Sequence, residues 1–112
     1  MEEFINYLTR QAEAGRADIA ALEAEGRKDD ANFARIRTNI YDVCRTVSQA
    51  LTNRPGAGPA AVRAQLERFR TGWGVALEKA QAHGDIGAAA VEETKLAVLA
   101  DVTAHFPEVT KP

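Results

Sequence analysis

Phe33-Ala34-Arg35-Ile36-Arg37-Thr38-Asn39-Ile40-Tyr41-Asp42-Val43-Cys44-Arg45-Thr46-Val47 carries its large apolar side chains at gaps of three and four. On an α-helix those gaps return to one face every two turns. Phe33, Ile36, Ile40, Val43 and Val47, with Ala50 beyond them, therefore form one apolar seam. The spacing recurs upstream in Ile5, Leu8, Ala12, Gly15, Ile19 and Leu22, and downstream in Val62, Leu66, Phe69, Trp73, Ala76 and Ala80. Seams of this kind lose contact with water by packing against one another. The fold class that follows is all-α.

The segments between the seams set the number of helices. Gly26-Arg27-Lys28-Asp29-Asp30 holds a helix breaker, two cations suited to a helix C-terminus and two anions suited to an N-terminus. The seven-residue register does run unbroken from Ile5 to Phe33, so one long helix is a formal alternative. The breaker and the charges favour a hairpin, with Asp29 or Asp30 capping the second helix. Asn53-Arg54-Pro55-Gly56-Ala57-Gly58 reads as a loop, and Pro59 as the first-turn proline of a third helix. His83-Gly84-Asp85 repeats the stop-and-start chemistry, with Asp85 as the cap of a fourth helix.

The spacing thus predicts helices over about 2–25, 30–52, 59–82 and 86–106, with Leu96, Leu99, Val102 and Phe106 as the firmest apolar positions of the last. Short connections between helices of similar length predict an antiparallel up-down four-helix bundle. Residues 1–106 read as a single domain, and 107–112, from Pro107 on, as a C-terminal tail. Helix 2, whose seam Cys44 and Leu51 widen, is expected to be the most buried. Between Leu8 and Ile19 the seam of helix 1 offers only Ala12 and Gly15. That gap predicts a close backbone approach or a bulky filler such as Tyr41, Phe69 or Trp73, and leaves open a ligand cavity there.

The formal net charge of −2 points to no class of partner, but it is unevenly spread. Residues 1–26 carry net −4, residues 27–80 net +5 and residues 81–112 net −3. Basic middle helices beside acidic outer ones can complement each other along their flanks. The acidic start Met1-Glu2-Glu3 does not read as a signal peptide, and no apolar run is long enough to span a bilayer. No membrane partner and a cytoplasmic location are expected.

Reactive groups are sparse. Cys44 is the only cysteine and lies beside Val43 and Val47, which predicts a buried, inert thiol and no disulfide. His83 falls in a turn and His105 at the end of helix 4, each placed to meet the carbonyl end of its own helix. Neither follows a glutamate by three positions, as a di-iron bundle requires. Asp29-Asp30 and Glu92-Glu93 are adjacent pairs, and consecutive helical residues point about 100° apart, so they do not converge on one substrate atom. Pro55-Gly56-Ala57-Gly58 lacks the residues of a phosphate loop. No catalytic, cofactor-binding or metal-ligating residue is assigned, no cofactor is expected, and the chain is not read as an enzyme.

The function expected is that of a non-catalytic protein–protein interaction or assembly module acting as a homodimer or on another protein. Exchange of hairpins across the Asn53–Gly58 loop is one route to the dimer. The alternative is a nucleic-acid-associated regulator using the basic helices 2 and 3, with Arg35, Arg45, Arg63 and Arg70 facing outward.

Overall fold

A computed structural model describes residues 1–107, so all of the expected 107–112 tail but Pro107 lies outside the described residues. Four α-helices make up the fold: α1 (Glu2–Ala24), α2 (Lys28–Asn53), α3 (Pro59–Ala82) and α4 (Ile86–Ala104). No strand occurs among the described residues. The chain is a hairpin at Gly26, not one long helix.

Both hairpin turns stop their first helix in the same way. Gly26 and Gly84 take the left-handed conformation at φ 74° and 68°, which only glycine adopts at little cost. The Arg27 amide then donates back to the Leu22 carbonyl (2.9 Å) and the Asp85 amide to that of Ala80 (2.9 Å). These bonds satisfy carbonyls that a helix end leaves open. Asp85 caps α4 as expected, its Oδ1 accepting from the Ala88 amide at 3.0 Å. Pro59 opens α3.

The start of α2 differs from expectation. The N-cap is Arg27, and neither Asp29 nor Asp30 caps through its side chain. Both lie within the first turn, where their charge still faces the positive end of the helix dipole. The Arg27 guanidinium pairs with Asp30 Oδ2 at 2.7 Å, and α2 starts two residues upstream of the expected position. At the other end α4 stops at Ala104, although Phe106 beyond it is buried.

Contacts run antiparallel within each hairpin. Arg16 meets Asp42 and Glu23 meets Arg35 along α1 and α2, so the two helices pair in both senses, and one of these two pairs joins an acid of the first to a base of the second. Along α3 and α4, Lys95 lies over the Trp73 ring and Arg63 over that of Phe106. The assembly is 21 Å across its thinnest dimension, close to two helix diameters.

One core joins the hairpins. It draws Phe4 and Leu8 from α1, Ile40 and Cys44 from α2, Val62 and Leu66 from α3, and Val98, Leu99 and Val102 from α4, with Phe106. Full burial of a side chain such as Leu8 or Leu99 contributes roughly 1.5–3 kcal/mol. The core sits toward one end of the molecule, since the buried residues of α1 stop at Ala12 and those of α4 begin at Val98. No hydrogen bond, ion pair or ring contact among the described residues joins 13–39 to 70–97.

α2 packs against all three other helices and has the most buried residues, but its buried stripe is not the expected seam. Ala31, Ala34, Thr38 and Ser48 are buried, whereas Phe33, Ile36, Val43 and Val47 are half-buried and Ala50 is exposed. Close approach to α1 selects small side chains for the contact line, and the bulky ones flank it.

Candidate functional site

The best-defined polar arrangement fastens three helices together. Tyr7 stands beside Leu8 on α1, Tyr41 beside Ile40 on α2, and Asp101 beside Val102 on α4. Each therefore lies at the edge of the core, within reach of the others. Both phenol hydroxyls donate to Asp101 Oδ2, each at 2.6 Å. The His105 ring stacks on that of Tyr7 with centroids 3.9 Å apart. His105 Nδ1 lies 2.9 Å from the Asp101 carbonyl oxygen and 3.5 Å from Asp101 Oδ1. A carbonyl only accepts, so Nδ1 carries the proton and donates.

The electrostatics hold protons on the phenols. Burial, then the hydrogen bond to Asp101 and its charge, push Tyr7 up to about 12, and the same causes raise Tyr41 further. For Asp101, burial acts to raise the pKa, but the hydroxyls of Tyr41 and Tyr7 and the His105 charge outweigh it. The carboxyl is held below its ordinary range. Two phenols locked as donors onto one carboxylate make a fastening, not a general base.

A second feature is the small-residue gap on α1. The Thr38 hydroxyl fills the notch at Gly15, and it is buried with no hydrogen-bond partner. Beside it lies a half-open cavity of about 170 Å³, rimmed by Gln11, Asp18, Arg37 and Tyr41. Of the three bulky fillers expected, Tyr41 reaches this cavity. Phe69 and Trp73 stack on each other instead, with centroids 5.0 Å apart, and pack against the core.

The third feature is apolar and lies at the turn between α3 and α4. Among the described residues the exposed large hydrophobic side chains are Ile86, 84% exposed at this turn, and Val75, 46% exposed farther back on α3. Ile86, Ala89, Ala90 and Glu93 border a hollow of about 340 Å³ with Ala80 and Gly84. α4 has the highest apolar content of the four helices, with Glu92, Glu93, Lys95 and Asp101 spaced around it, and its first two residues, Ile86 and Gly87, are exposed.

The remaining sequence candidates are dispersed. Cys44 is fully buried, and burial pushes its thiol up to about 12, so it is poorly nucleophilic. His83 Nδ1 meets the Lys79 carbonyl at 2.8 Å, as expected, and His105 likewise meets that of Asp101. Three of the four outward arginines are engaged within the chain: Arg35 with Glu23, Arg45 with Asp42 and Arg70 with Glu67. Arg45 is only half-exposed, and Arg63 lies over Phe106. The adjacent acids diverge: Glu92 pairs with Lys95 at 3.0 Å while Glu93 faces the hollow beside Ile86. Among the described residues no group of three or more His, Cys, Asp or Glu is placed to hold a metal ion. No described helix is long and apolar enough to cross a membrane.

Sequence reasoning missed the Tyr7–Tyr41–Asp101 fastening. The available signal was a carboxylate set between Leu99 and Val102 on an apolar helix, a position that needs partners when half-buried. No family model matches this chain, and neither a curated protein nor a solved structure matches it.

Proposed function

We propose that this chain is a non-catalytic assembly module that pairs with a second copy of itself. One observation carries the reading: Ile86 and Val75 stand exposed on α4 and α3, outside the shared core. Burial of such surface is the main driving force of protein association. The half-buried Phe33, Ile36, Val43 and Val47 on α2 add to the surplus. The polar fastening at Asp101 supports the same reading, because its phenols are held protonated and its carboxylate occupied.

Nucleic-acid binding is the weaker reading. Arg35, Arg45 and Arg70 already face carboxylates of their own chain, which lowers the free charge left for phosphates. Sedimentation equilibrium across the micromolar range tests the proposal. A concentration-dependent mass of two chains, insensitive to moderate salt, is the expected result. A strict monomer at several hundred micromolar overturns it.

A further inference from the structure

We draw no further inference here: the strongest candidate, the half-open cavity between α1 and α2 rimmed by Gln11, Asp18, Arg37 and Tyr41, is a hollow left by the small residues Ala14, Gly15 and Ala34, and the one buried hydroxyl without a partner on its wall, that of Thr38, is turned onto Gly15 and not into the space, so nothing in the structure points to a ligand.

Discussion

The Thr38 hydroxyl occupies the space that a side chain at Gly15 would need. A methyl group at position 15 would overlap Thr38 Oγ1 and come within 3.1 Å of Thr38 Cβ. Glycine therefore sets the separation of α1 and α2. Gly15→Ala gains about 1 kcal/mol of helix propensity but overpacks the contact at about 1–3 kcal/mol. Net destabilisation of about 1 kcal/mol is expected in urea unfolding. Thr38→Ala removes a hydroxyl that has no partner, so alone it shifts stability by less than about 1 kcal/mol. Combined with Gly15→Ala it restores most of the loss, and additive effects would mean the two residues do not touch.

The fastening at Asp101 predicts loss of stability at both extremes of pH. The carboxyl has a lower pKa folded than unfolded, so its contribution is full above the ordinary value of about 4 and is lost as the pH falls through the folded value. The phenols have raised pKa values, so theirs is full below about 10 and is lost as the pH rises through about 12 for Tyr7 and beyond for Tyr41. These are the only two tyrosines, so near-ultraviolet absorbance reads both directly. Phenolate formation is expected to begin well above pH 10 in the folded chain. Asp101→Asn returns the onset only part of the way, because burial is the largest cause of both shifts. The same substitution costs about 1–2 kcal/mol at neutral pH, at the modest end because Asp101 is partly exposed.

What was legible in the sequence is what acts locally. Gly26 and Gly84 stop helices through their own backbone conformation, and Asp85 caps α4 through an amide three residues away. Ile40, Leu66 and Leu99, large apolar residues central to their seams, are buried in the core. The rotation of α2 about its axis was not legible. Apolar bulk marked Phe33, Ile36, Val43 and Val47, whereas contact with α1 is made through Ala34 and Thr38, small residues that periodicity weighs little. The Tyr7–Asp101 bond spans 94 residues, and nothing near either partner announces the other. Arg27 is the N-cap of α2, with no side-chain capping bond, where side-chain type alone assigns an aspartate.

Cys44 is a reporter of opening. It is fully buried, and burial holds its thiol up to about 12, so neither access nor ionisation permits reaction in the folded chain. Disulfide-exchange labelling at neutral pH is expected to be slower by orders of magnitude in buffer than in denaturant. Destabilising substitutions in the core raise the rate in proportion to the population of open chain. Immediate labelling of the native protein would show that α2 does not present this face to the core.

Because the shared core sits toward one end, equal truncations have unequal costs. Leu8 and Leu99 are fully buried among all four helices, and Leu8→Ala or Leu99→Ala is expected to cost about 2–5 kcal/mol. Ile19 and Leu22 are also on the α1 seam, but they are half-buried and lie outside that core. Their area already in water makes Ile19→Ala or Leu22→Ala cost roughly half as much or less. Chemical denaturation of the four variants at one fixed protein concentration compares them without interference from self-association. Equal losses at Leu8 and Ile19 would place a second buried core between the far ends of the hairpins.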